Sequence, residues 1–258
     1  MGVHWRSPIS QCLLGATISV GMRGEKVREF IRIVKNVWGQ SSSGKKRELE
    51  VLIRDGVRPM STSEYNGDLW VTYHRSAKLE GMWSINSICE RPCEFKPFCY
   101  AKRLEKYRPK LHEKYRKNKV ALERSTCKVP IFPEGSIVRW FSFGSINGSK
   151  MAATNIYTTV RKNPNCKFGI WLEPRYWEPF YSLFKYLPNI TCVYSHKVID
   201  DPIVAGPGYN TFSIVSSATA LKSKLSEYPN AVICKGKCRD CGHTCYTQRG
   251  MTVIEKRK

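Results

Sequence analysis

The chain has 258 residues, of which 41% are hydrophobic and 12% aromatic, enough for one large domain with a substantial core. No stretch approaches the ~18–20 consecutive apolar residues of a membrane-spanning helix, so no helical membrane partner is expected. Forty-three Lys and Arg against 21 Asp and Glu give a net charge of +22, which attracts polyanions and raises encounter rates with nucleic acid.

Residues 25–38 have a helical pattern, with Val27, Phe30, Ile31, Val34, Val37 and Trp38 on one side. The run Gly-Gln-Ser-Ser-Ser-Gly over 39–44 reads as a flexible linker, and 47–54 as a second short helix. Residues 1–67 are thus expected to form a basic helical and linker extension, and 68–258 a cysteine-rich α/β metal-binding domain. Strand signals follow at 69–73 and 82–86. Residues 102–124 read as helical and hold ten Lys or Arg, with Leu104, Tyr107, Leu111, Tyr115 and Leu122 as an apolar stripe and Pro109 opening a second helix.

Alternation then sets in. Strands are expected at 137–143, 167–172, 190–195, 211–216 and 231–234. Helices are expected at 149–161, capped by Ser149, at 176–186 and at 218–227, with Pro164, Pro188 and Pro229 beyond their ends. Such alternation predicts a mostly parallel sheet with right-handed crossovers, and sites at the carboxyl ends of its strands. Cys89, Gly144, His196 and the last cysteine group each come just after an expected strand.

Seven of the eleven cysteines fall in two tight groups, a pattern that suits metal binding in a reducing compartment better than a disulfide framework. The isolated Cys12, Cys127, Cys166 and Cys192 read as small buried hydrophobes. Cys89, Cys93 and Cys99 are separated by three and then five residues. Three thiolates hold three irons of a cubane cluster and leave the fourth open, whereas zinc wants four ligands. Cys234, Cys238, Cys241 and Cys245, with His243 as a substitute, could complete a site unaided, and both zinc and an iron–sulfur cluster suit that set. The expected cofactor is a 4Fe–4S cluster, with zinc as the alternative.

Several runs carry a resemblance. Ser76-Ala-Lys-Leu-Glu-Gly, Ser84-Ile-Asn, Cys89-x3-Cys93-x5-Cys99-Tyr-Ala, Arg139-Trp-Phe-Ser-Phe-Gly, Phe168-Gly-Ile-Trp and the late knuckle ending Cys245-Tyr246 resemble the phage gene product 88 family over about residues 70–258. More distantly, the layout is similar to radical S-adenosylmethionine proteins of the spore photoproduct lyase type. That resemblance implies a partial (β/α) barrel, with Cys89, Cys93 and Cys99 as cluster ligands and S-adenosylmethionine on the open iron. It also assigns cofactor contacts to Tyr100 and Gly144. The five-residue gap departs from the usual two, and no acidic residue follows Gly144. The extra cysteines could instead supply the fourth ligand and close the cluster. The family implies a cytoplasmic protein, in the host if phage-encoded. Residues 13–22, an apolar run met at once by Arg23, Glu25 and Lys26, lack a clean export cleavage site.

The competing reading is a zinc-stabilised nucleic-acid-binding protein without catalysis, in which Lys102, Arg103, Lys114, Arg116, Lys117 and Lys119 lie along a phosphate backbone. His196 is a candidate general base, although a lone His is more often structural. No nucleophile elbow, Walker loop or HExxH motif is present.

Overall fold

The computed structural model describes residues 61–75, 78–89, 99 and 107–257. The helices expected between 25 and 54, together with Cys93, Tyr100, Lys102 and Arg103, lie outside the described residues.

Nine strands form one sheet: β1 (Thr62–Asn66), β2 (Leu69–Tyr73), β3 (Trp83–Ile85), β4 (Ile137–Trp140), β5 (Lys167–Leu172), β6 (Ile190–Ser195), β7 (Asn210–Val215), β8 (Val232–Ile233) and β9 (Thr252–Lys256). Their spatial order is β1-β2-β3-β4-β5-β6-β7-β9-β8, and the sheet does not close on itself. β1–β2 and β2–β3 pair antiparallel, and the other six pairs are parallel. The expected α/β class with a mostly parallel sheet is therefore what forms. β1 and β9 are strands that the sequence pattern did not announce.

Five helices accompany the sheet among the described residues: α1 (Pro109–Leu122), α2 (Lys150–Lys162), α3 (Trp177–Phe184), α4 (Ala218–Glu227) and the single turn α5 (Thr244–Thr247). Pro109 opens α1, where its missing N–H costs nothing. Ser149 and Ser217 cap α2 and α4 by accepting from the N–H of the third residue on. α3 starts later than expected, because a 3-10 turn at Pro174–Tyr176 precedes it. β4 ends at Trp140 because Phe141 turns to a φ of 56°.

Side chains alternate across a strand, so each face has its own inventory. One face offers Val138, Trp140, Phe168, Ile170, Leu172, Ile190 and Cys192 to α2 and α3, whose Ile156, Val160, Phe180 and Phe184 complete the main core. From β3 to β7 the chain steps in one direction along the sheet, so right-handed crossovers keep their helices on one face. The step from β8 to β9 runs backwards. Its connection, residues 234–251, therefore passes over the opposite face, where α5 contacts β5 and β6.

That opposite face is concave. Lys78, on the turn between β2 and β3, donates to Glu255 of β9 at 2.7 Å. Four strands separate β3 from β9, about 24 Å on a flat sheet at ~4.8 Å per strand. The bond forms because the hairpin end and the far strand curl toward each other over the cysteine-bearing connection.

Candidate metal centre

The connection between β8 and β9 is a knuckle with little regular structure. Cys234 continues the pairing of β8, its N–H donating to Ile254 O at 2.8 Å. The chain then crosses to the hairpin turn, where Cys238 N–H donates to Lys78 O at 2.7 Å. A 3-10 turn at Arg239–Cys241 follows, and Gly242 and His243 both take left-handed backbone, at φ 61° and 60°. This reversal lets His243 N–H return to Cys238 O at 3.0 Å, and the Cys241 thiol donates to the same carbonyl at 3.2 Å. Thr244 Oγ1 closes on Cys241 O at 2.6 Å. The knuckle therefore binds itself chiefly through Cys238.

Its anchor is Tyr246. This ring is buried with Leu79, Met82 and Cys238 in a second small cluster, against Ile137, Trp171 and Cys245. It lies on Gly169 of β5, where a Cβ would stand 2.5 Å from Tyr246 Cδ1. Thr191 of β6 donates to the Tyr246 carbonyl at 3.3 Å, and Asn210 of β7 donates to those of Cys245 and Gln248. Asn210 also accepts from Met251 N–H at 2.9 Å, pinning the knuckle's far end.

Two cations lie under the thiols. Arg139, on β4, holds its guanidinium carbon 4.0 Å from the centre of the Trp171 ring. Lys78 lies 5.6 Å over the Phe212 ring as it reaches Glu255. Burial opposes the charge of Lys78, but the bond to Glu255 and the nearby Cys234 outweigh it and raise its pKa. Burial pushes the Cys238 thiol up to about 11, against the pull of Arg139 and Lys78. Burial, reinforced by Cys234, Cys241 and Cys238, pushes Cys245 up to about 12. Burial also raises the Tyr246 phenol, and the adjacent Arg139 moderates the shift.

The four thiols therefore lie within electrostatic reach of one another. Yet among the described residues no three His, Cys, Asp or Glu side chains stand arranged to hold a metal ion. The two observations concern different distances: charge is felt well beyond the ~2.3 Å of a metal–sulfur bond. Cys127, Cys166, Cys192 and the knuckle cysteines carry no disulfide.

The other cysteine group is described at Cys89 and Cys99, both half-buried. Cys89 leaves the carboxyl end of β3, and the loop after β4 packs against it. Asn147 Nδ2 donates to Ile88 O at 2.7 Å, and Ser87 N–H donates to Phe143 O at 3.2 Å. Gly144 has a φ of 80°, and a Cβ there would strike the Ser87 carbonyl, so close backbone packing accounts for this glycine. A buried polar network supports the same end. Asn86 accepts from Ser142 Oγ at 2.7 Å and Phe143 N–H at 3.0 Å, and donates to Ser84 Oγ and Tyr115 Oη. Cys234 follows its strand, as Cys89 does, whereas Cys238 and Tyr246 pack together where α5 docks on β5 and β6.

His74 joins the network, its Nε2 lying 2.7 Å from Ser84 Oγ. Burial, and then the charge of Arg139, lower its pKa from 6.5 to about 4. Because the folded value is depressed, the contribution to stability is complete above pH 6.5 and is lost as pH falls through about 4. The loss should total about 3 kcal/mol at most. Urea denaturation at stepped pH should show this fall, and His74→Gln should flatten it.

The basic helix has partly spent its charge. Arg116 is paired with Glu113 and Lys119 with Glu123, at 2.9 and 2.8 Å. Lys114 covers the Trp70 ring, and Lys117 is exposed. His196 follows β6, 3.5 Å from Asp201 and beside the Tyr194 ring. Lys78, Arg139 and Glu255 were not foreseen as site residues. The first two stand inside the motif runs quoted above, but only the fold reveals that they converge.

No family model, curated protein or solved structure matches the chain.

Proposed function

We propose that this chain is an iron–sulfur protein. In this reading Cys89, Cys93 and Cys99 hold a 4Fe–4S cluster beyond the carboxyl end of β3, on a sheet wound like part of a radical-enzyme barrel. Cys234, Cys238, Cys241 and Cys245 form a second metal centre over the concave face. The observation that carries the reading is the direction of the winding. The chain steps one way from β3 to β7, and Cys89 emerges at the strand end where such sheets carry their chemistry. The knuckle's donors suit a metal in kind: four soft thiols within electrostatic reach of one another, with Lys78 and Arg139 near enough to offset thiolate charge. A cluster held by three thiolates supplies an iron open to a ligand, and S-adenosylmethionine is the ligand the distant resemblance suggests. Within the chain, Asn86 and Asn147 hold the loops around Cys89, and the glycine at 144 lets those loops close.

Anaerobic purification with a visible spectrum and iron and sulfide analysis tests this. Broad visible absorption with iron and sulfide in equal amounts is expected, and Cys99→Ala should remove the iron held by the first group. A colourless protein with stoichiometric zinc, taking up no iron on reconstitution, overturns the reading in favour of a zinc-stapled fold. Intact iron in Cys99→Ala would remove the first group from it.

A further inference from the structure

The lysines of α1 differ from its other bases. Lys110, Lys114 and Lys117 recur at four- and three-residue intervals, forming one stripe along the helix. Among the described residues these three form no ion pair, in contrast to Arg116 and Lys119. Lys110 and Lys117 are exposed. Lys114 turns its ammonium onto Trp70, 4.2 Å from the ring centre.

Trp70 also meets a second ring, tilted against it at 39°. Its cross-strand partner on β1 is Tyr65, with ring centroids 3.9 Å apart. Tyr65 is 54% exposed. An ammonium, an indole and an open phenol ring thus follow one another at the edge of the sheet. Asn118 fixes α1 to this edge, accepting from Trp70 N–H at 2.7 Å and donating to Trp70 O and Asn86 O, each at 2.8 Å. Val71 pairs with Ile85, so Trp70 lies at the end of the sheet where Cys89 emerges.

We propose that Tyr65, Trp70 and the stripe Lys110–Lys114–Lys117 form a docking surface for single-stranded nucleic acid. The stripe supplies cations for the phosphates, and the net charge of +22 draws a polyanion in. The exposed Tyr65 ring, backed by Trp70, offers a face on which an unpaired base stacks. A duplex has its base faces covered and cannot use that ring. An acidic protein segment would satisfy the lysines but leave the ring idle. The proposal goes beyond the metal reading and does not depend on it.

Fluorescence anisotropy of the full chain with a labelled single strand of mixed sequence, over a range of salt, tests the surface. A duplex of equal length is the competitor. The single strand should bind more tightly than the duplex. Joint Lys110→Gln, Lys114→Gln and Lys117→Gln should reduce the slope of log affinity against log salt by about 2. Tyr65→Ala should weaken binding about tenfold with the slope unchanged, while Tyr65→Phe retains it. Because Tyr65, Lys110 and Lys117 are exposed and Lys114 is half-buried without an ion pair among the described residues, unchanged circular dichroism should accompany every variant. Equal affinity for the duplex, a salt slope retained by the triple variant, or undiminished binding by Tyr65→Ala overturns the proposal.

Discussion

Asn118→Ala should destabilise the fold by about 3–6 kcal/mol: three backbone groups lose their partners at ~1–3 kcal/mol each, and the two on Trp70 are only part-buried, which keeps the sum below its upper limit. The position is fully buried, and its side chain does the work of a missing strand residue. Where β3 gives out opposite Trp70, the Asn118 amide takes over, satisfying both the N–H and the carbonyl of Trp70 and reaching across to Asn86 O. Alanine has nothing to offer any of them, and buried backbone groups are rarely left unpaired. In a chain of this size the melting temperature should fall by roughly 10 °C or more. Asn118→Asp retains the acceptor for Trp70 N–H but turns a buried carboxylate oxygen toward Trp70 O and Asn86 O, so it should cost at least as much as alanine. The effect should extend to the site: Asn86 orients Phe143 and Ser142, which pack around the start of the Cys89 loop, so iron loading should fall with stability. A loss below ~1 kcal/mol by urea denaturation would mean that water or a shifted loop replaces the amide, and that α1 is not what holds β2 to β3.

Much of the fold was legible because local signals agreed with tertiary demands. The strands at 167–172 and 190–195 and the helix at 218–227 form with the expected limits, since the strands are rich in β-branched and aromatic residues and the helix is capped by Ser217 with Pro229 beyond its end. β1 was missed because Thr62–Asn66 is polar on both faces, as an edge strand with one neighbour tolerates. β9 is five residues long and follows an irregular cysteine-rich stretch, and no local pattern reports that it inserts between β7 and β8. That insertion matters most for the site, since it sends the knuckle to the concave face. The cysteines themselves could be read from spacing. The groups that surround them could not: Lys78 and Glu255 are 177 residues apart, and Arg139 belongs to a third strand. Their meeting depends on sheet curvature, which a linear pattern does not encode. The aromatic residues divide the same way. Trp140 and Trp177 are core, whereas only the pairing of β1 with β2 puts Tyr65 on Trp70.

The contact between Gly169 and Tyr246 gives the sharpest test of how the knuckle is held. Gly169→Ala places a methyl group 2.5 and 2.8 Å from two atoms of the Tyr246 ring and 3.2 Å from Trp171. Neither neighbour can yield easily. The Tyr246 ring is buried with Met82 and Leu79, and Trp171 is covered on one side by the Arg139 guanidinium. The cheapest response is for α5 to lift off β5, which would strain the bonds from Thr191 and Asn210 to the knuckle carbonyls. A cost of about 2–4 kcal/mol is expected, at the upper end of overpacking effects because the ring has so little room. Hydrogen exchange should quicken across residues 238–248 while the amides of α2 and α3, on the other face, keep their protection. Metal uptake by the knuckle should weaken in parallel, since Cys238 and Cys245 flank the displaced anchor. Tyr246→Leu, combined with Gly169→Ala, should recover part of the loss, so that the double variant is less damaged than the two single costs added together. Strict additivity, or an exchange pattern that spreads evenly over the sheet, would show that the close contact relaxes elsewhere and that Tyr246 is not the knuckle's anchor.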